Sequence, residues 1–168
     1  MAGMAAEKRD MVEAVILGGG NIGDVAGRLA AAGRLLGERA GRVVARSSLH
    51  RSAAWGFSSQ AEFLNRTFVV HTRLAPEALL DTVQQIEREL GRDRGREQSE
   101  RRLSGERYAS REIDLDILFY GECRISTDRL TVPHPLIMQR EFALVPLCEA
   151  TGLTRRQVGE KIKSIEGR

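Results

Sequence analysis

Asp114 and Asp116 are separated by one apolar residue and flanked by Ile113 and Ile117, with Leu115 between them. Such alternation is the period of a β-strand, so the two carboxylates project from one face and the apolar side chains from the other. At a rise of about 3.3 Å per residue their Cα atoms lie roughly 7 Å apart. Both side chains could then hold one divalent cation, or a pair of cations about 4 Å apart of the kind that serves phosphoryl transfer. A solvated amphipathic strand would carry the same bare pattern. The apolar run Ile117-Leu118-Phe119 that follows predicts instead a central strand buried on both sides. There, two like charges are costly unless a counter-charge neutralises them.

The second chemical feature is a cluster of cations. Residues 92, 94, 96, 101, 102, 107 and 111 are arginines, against acids at 93, 97, 100 and 106, so this stretch carries the whole of the chain's formal charge of +3. Clustering of this kind suits a nucleic acid, a membrane surface or a polyphosphate, and a solvated loop would also produce it.

Length and composition bound what these features can serve. The chain has 168 residues, 42% of them hydrophobic, which predicts one globular domain over 12–152 with a tail at 1–11 and a short C-terminal tail at 153–168. The last four residues, Ile165 to Arg168, read as a protease-recognition scar. No apolar run approaches the roughly 18 residues of a membrane span, and the charged N-terminus does not read as a signal peptide. Cys123 and Cys148 lack metal-ligand spacing and read as reduced thiols of a cytoplasmic protein.

The elements that must position the two features follow in order. Glu13 to Leu17 reads as a buried strand, and Gly18-Gly19-Gly20 as a tight turn into a helix capped by Asp24, with Val25, Leu29, Ala32 and Leu36 on its buried face. Arg42 to Leu49 is a second strand. His50 to Glu62, which carries the single tryptophan Trp55, is a long binding loop, and Phe63 to Thr72 is a third strand with the polar Asn65 near its start. Pro76 opens a second helix, whose buried face is Leu79, Val83, Ile86 and Leu90. Gln84 and Glu87 share one flank of it and, by pattern, face solvent. Gly91 ends this helix, an arginine-rich loop leads to the Asp-Leu-Asp strand, and Met138 to Ala150 forms a helical or irregular cap. Strand-helix-strand-strand-helix-strand with a C-terminal extension is the ferredoxin-like α/β (α+β) sandwich, a mainly antiparallel sheet with helices on one face.

Gly19-Gly20-Asn21, Phe63-Leu64-Asn65, Gln84-x-x-Glu87 with Gly91-Arg92, Tyr108-x-x-Arg111-x-x-Asp114-x-Asp116 and Val132-Pro133-His134 with Arg140-x-Phe142 occur in this order. Together they resemble the 6-hydroxymethyl-7,8-dihydropterin pyrophosphokinases of folate biosynthesis. The resemblance implies transfer of pyrophosphate from ATP to the pterin hydroxymethyl group, with AMP released. It further implies that Asp114 and Asp116 hold two Mg2+ ions and, with Arg92 and Arg111, form the catalytic set. Gln84, Glu87, Arg92, Arg94, Arg107, Tyr108, Arg111, Ile117, Arg129, Thr131, His134 and Arg140 would bind ATP. Ser52, Ala53, Trp55, Phe63, Asn65, Asp114 and Phe142 would bind the pterin, with Phe63 and Phe142 sandwiching its ring.

The chain departs from the family's common pattern at Ser110 and Ala53, where relatives often carry proline, at Glu112, and in the length of the stretch from Arg92 to Arg107. The expected partners are the two small-molecule substrates, with no nucleic acid, no membrane and a monomeric chain. Two other readings fit parts of the sequence. A ferredoxin-like nucleic-acid-binding module explains the arginines but requires exposed aromatics on central strands. Another Mg-ATP kinase on the same scaffold would keep the acids without needing Phe63, Asn65 and Phe142 together.

Overall fold

The computed structural model describes residues 10–53 and 62–168. Strand β1 (Val12–Gly20) leads through Asn21 and the capping residue Asp24, whose carboxylate accepts the Gly27 N–H at 3.0 Å, into helix α1 (Val25–Arg39). Strands β2 (Gly41–Arg46), β3 (His50–Ser52) and β4 (Phe63–Thr72) follow, then helix α2 (Pro76–Glu89). Next come helix α3 (Arg94–Ser104), strand β5 (Asp114–Tyr120), the short strands β6 (Ile125–Ser126) and β7 (Thr131–Val132), and helices α4 (Glu141–Thr151) and α5 (Arg155–Glu166). The main sheet has the order β2-β4-β1-β5, with β3 continuing the β2 edge of β4, and all its pairings are antiparallel. This is the ferredoxin-like arrangement.

Periodicity placed the first core correctly. Val25, Leu29, Ala32 and Leu36 of α1 and Leu79, Val83 and Ile86 of α2 are buried against Ile16, Phe68, Val70, Leu115 and Ile117 of the sheet. A second cluster lies on the opposite face, where Val15, Leu17, Leu118 and Phe119 meet Ala143, Leu144 and Leu147 of α4 and Val158 and Ile165 of α5. Helices therefore cover both faces rather than one. Residues 153–168, expected as a tail ending in a scar, contain α5, which opens on a Thr154/Gln157 capping box and whose Ile165 is fully buried.

Three further expectations are corrected. The glycine cluster is the last part of β1 rather than a turn, because the strand runs in register to Gly20. β5 pairs with β1 alone and stands at the sheet edge rather than its centre. It is buried because helices pack on both faces, and His134 N–H closes part of its free edge by donating to Leu118 O at 2.9 Å. The arginine-rich stretch is largely helical. Asp93 caps α3 by accepting Arg96 N–H at 2.9 Å, and Gly105 ends it at φ 71°, a left-handed conformation suited to glycine.

Candidate active site

The antiparallel register lines up the site across three strands. Gly19 of β1 stands opposite Asn65 of β4 on one side and Asp114 of β5 on the other, and Leu17 stands opposite Thr67 and Asp116. Directly opposed residues share a face, so Asn65, Asp114 and Asp116 rise from the side that carries Leu17. Leu115 and Ile117 point into the other core, as the alternation requires. Gly19 keeps the middle of this row flat, since a Cβ there would lie 2.5 Å from Asn65 Oδ1. Gly20 lets the approach to β5 come close, since its Cβ would meet Glu112 O at 2.5 Å.

Asn65 is buried and donates through Nδ2 to Ser52 Oγ at 2.9 Å. Ser52, Ala53, Phe63, Asn65, Asp114 and Phe142 line a single pocket together with Leu17, Gly19, Tyr108, Arg111, Asp116 and Arg140. Trp55 lies outside the described residues. A second pocket shares Asp114, Asp116, Arg111 and Arg140 with the first and extends over Gln84, Glu87, Arg92, Arg94, Ile117, Arg129, Thr131 and His134. The two carboxylates thus stand where a pocket with aromatic and amide walls meets one rich in cations. Arg107 and Tyr108, expected with the ATP group, border a third groove along α3, where Arg107 stacks over the Tyr108 ring at 5.6 Å.

Asp114 is gripped by two guanidiniums, with Arg92 Nη1 2.7 Å from Oδ1 and Arg111 Nη1 2.9 Å from Oδ2. Burial alone would raise its pKa, but Arg111 and Arg92 hold it below the ordinary carboxylate range. Arg92 Nη1 also reaches Glu87 Oε1 at 2.8 Å, and Glu87 Oε1 accepts the Leu115 N–H at 2.7 Å. Glu87 is therefore buried against the start of β5, contrary to its expected solvent-facing position. Burial and the neighbouring Asp114 push its pKa up to about 7. Asp116 has no hydrogen-bond or ion-pair partner among the described side chains, and burial together with Asp114 and Glu87 pushes it up to about 7. Burial and Arg140 lower His134, which favours a neutral imidazole. Arg129, on the rim, is held at 2.9 Å by Glu77 and at 2.5 Å by Asp81.

Arg111 and Arg140 attract Asp116 without offsetting its burial and its acidic neighbours, and such an acid beside an ionised one suits a divalent metal, which would relieve their repulsion. No cluster of three or more His, Cys, Asp or Glu side chains with metal-holding geometry occurs among the described residues. A cation on Asp114 and Asp116 would therefore complete its shell with ligand oxygens and water, as Mg2+ at phosphate sites commonly does.

Several residues of the site escaped sequence reasoning. Asn21 accepts the Arg111 N–H at 2.9 Å through Oδ1 and donates to Ser110 Oγ at 3.1 Å, clamping the approach to β5 against the end of β1. The Ser110 N–H donates to Glu100 Oε1 at 3.1 Å, a bond that a proline at this position could not make. Glu97 and the apolar liners Leu80 and Leu130 were also missed. The glycine triplet beside Asn21 was the available signal for close backbone approach. Nothing in the local pattern distinguished Glu97 from its charged neighbours.

Comparison with known proteins gives a consistent result. The sequence model of the 7,8-dihydro-6-hydroxymethylpterin-pyrophosphokinase family matches residues 15–152. The chain is 42% identical over 132 residues to a 2-amino-4-hydroxy-6-hydroxymethyldihydropteridine pyrophosphokinase of Methylorubrum extorquens, covering 78% of this chain and 77% of that protein. It is 40% identical over 132 residues to the Bacillus subtilis protein of the same name, covering 78% of this chain and 73% of that one. It is also 40% identical over 141 residues to a mitochondrial folate synthesis bifunctional protein of Arabidopsis thaliana, covering 83% of this chain but 24% of the longer protein. Among solved structures, a Plasmodium falciparum HPPK-DHPS with pteroate matches with a TM-score of 0.65 at 14% identity. The match covers 86% of this chain and 42% of that one, and it bears on the fold alone.

Proposed function

The chain belongs to the 7,8-dihydro-6-hydroxymethylpterin-pyrophosphokinase family, and from that premise we propose that it transfers pyrophosphate from ATP to the hydroxymethyl group of 6-hydroxymethyl-7,8-dihydropterin in folate synthesis. The observation that carries this reading is the position of Asp114 and Asp116 at the junction of the two pockets. The hydroxymethyl oxygen attacks the β-phosphorus of ATP, the bond from that phosphorus to the α,β-bridging oxygen breaks, and AMP leaves with the bonding electrons. The hydroxyl proton passes to solvent.

Phosphoryl-type transfer requires alignment and charge stabilisation more than covalent help. The aromatic and amide pocket suits a flat heterocycle. Phe63 and Phe142 supply ring faces, and the Asn65 amide can donate and accept at once. In the second pocket Arg92, Arg94, Arg111, Arg140 and neutral His134 would take the phosphate chain, while Gln84, Arg129 and Thr131 border the nucleotide end. Asp114 and Asp116 would hold two Mg2+ ions, which when bound supply positive charge at the phosphates and lower the pKa of a coordinated hydroxyl. No further base is assigned to the protein.

The nucleic-acid reading is disfavoured because Phe68, in the interior of the sheet, is buried and both faces carry helices. No described helix is long and apolar enough to cross a membrane. We place the chain in the cytoplasm, where its substrate ATP is supplied and where the free thiols Cys123 and Cys148 would stay reduced. We read it as a monomer, because its exposed large apolar side chains, such as Val44, Leu103 and Val145, are spread over different elements.

Product analysis tests the reaction. Incubation with ATP, Mg2+ and the reduced hydroxymethylpterin should yield AMP and pterin diphosphate in equal amounts. ADP as the nucleotide product would assign the scaffold to a different kinase reaction.

A further inference from the structure

Helix α3 is composed almost wholly of charged and small polar residues, and Glu97 is its one buried side chain, 1% exposed. A carboxylate is not buried without a partner. Glu97 takes the Nε edge of Arg92, with Oε1 3.0 Å from Nε and Oε2 3.3 Å from Nη2. That grip leaves Nη1 as the group that faces the site, where it spans Glu87 Oε1 at 2.8 Å and Asp114 Oδ1 at 2.7 Å. The helix that carries Glu97 is itself fixed to the approach to β5. Arg96 bonds Glu112 Oε1 at 3.2 Å and Ser110 O at 2.5 Å, and Glu100 accepts the Ser110 N–H.

We propose that Glu97 is a positioning residue for the transfer, holding the Nε–Nη2 edge of Arg92 so that Nη1 is aimed at the carboxylate pair and the phosphate chain. The inference rests on the reading of Arg92 as a phosphate-binding residue. An arginine held along one edge keeps a single direction for its remaining donor, whereas an unheld one samples many rotamers. Glu97 touches no substrate and acts through Arg92. When Nη1 passes from Asp114 to a phosphate oxygen, the Glu97 contact can stay unchanged, so the exchange needs no new rotamer.

Steady-state kinetics and thermal melts of Glu97→Gln, Glu97→Asp, Arg92→Ala and the double variant Arg92→Ala/Glu97→Gln test this. Glu97→Gln keeps the shape but loses the charge-assisted grip. It should lower kcat about tenfold while leaving the KM for the pterin unchanged. Glu97→Asp keeps the charge but shortens the reach, and should fall between Glu97→Gln and wild type. In the Arg92→Ala background, Glu97→Gln should change kcat by less than about twofold, because the residue it positions is gone. Wild-type kcat in Glu97→Gln beside an impaired Arg92→Ala would reduce Glu97 to a fastener of α3 and overturn the proposal, leaving the role of Arg92 intact. An undiminished Glu97→Gln effect in the Arg92→Ala background would overturn it as well. Full activity in Arg92→Ala would remove both the premise and the inference.

Discussion

Asn65 shows how one side chain separates the two ligands. It lies in the pterin pocket, is held by Ser52, and does not border the cationic pocket. Removing an amide that makes buried hydrogen bonds costs about 1–3 kcal/mol, so Asn65→Ala should weaken pterin binding roughly tenfold or more and leave ATP binding within about twofold. Titration calorimetry with each ligand alone measures this, and equal loss of both affinities would contradict the assignment. At this scale the sequence was legible where alternation decides a direction, as at Asp114 and Asp116. It was not legible at Glu87. Helical spacing put Glu87 on the same flank as Gln84, but its burial is decided by β5, which packs there from elsewhere in the chain and places Leu115 N–H against its carboxylate.

Among the elements, β3 is short and has little to hold it except its neighbours. It pairs His50, Arg51 and Ser52 with β4, and α4 secures its approach through Glu149. That carboxylate accepts the Ser48 N–H at 2.8 Å and the Ser48 hydroxyl at 3.1 Å, and it bonds His50 Nε2. The Ser48 N–H first, then His50 and the Ser48 hydroxyl, bring Glu149 down to about 2. A depressed carboxylate contributes stability in full above its unfolded pKa, and loses that contribution as pH falls through its folded value. Thermal melts from pH 5 to pH 2 should therefore fall less steeply for Glu149→Gln than for wild type. Equal slopes would mean that the clip contributes nothing to the fold. Strands and helices with apolar periodicity were readable in advance, but α3 was not. Its residues carry no apolar stripe, and its stability comes from the Asp93 cap, the Arg96–Glu100 pair at 2.6 Å and ion pairs to distant acids.

For the molecule as a whole, the C-terminal helix is part of the second core. Val158 and Ile165 are fully buried, and α5 is tied to the loop after β5 by Lys161–Glu122 at 2.6 Å and by Arg124 donating to Glu166 O at 3.1 Å. Each buried aliphatic side chain contributes about 1.5–3 kcal/mol, so a chain ending at Gly152 should melt markedly lower than the full chain in calorimetry. An unchanged midpoint would show that α5 is dispensable. Its signals were present in the sequence, with Val158, Ile162 and Ile165 at offsets of four and seven behind the Thr154-x-x-Gln157 capping pattern, but the last residues also spell a protease-site motif, and that reading set the segment aside. The role of the carboxylate pair where the two pockets meet is read out by pterin-dependent AMP release in wild type and in Asp116→Ala, at saturating Mg2+ and with melting midpoints compared. Asp116 makes no hydrogen bond or ion pair among the described side chains, and its burial beside Asp114 and Glu87 outweighs the pull of Arg111 and Arg140. AMP release in the variant should fall by about 10³-fold or more while the midpoint is kept or raised. AMP release at the wild-type rate in a folded Asp116→Ala would contradict that role.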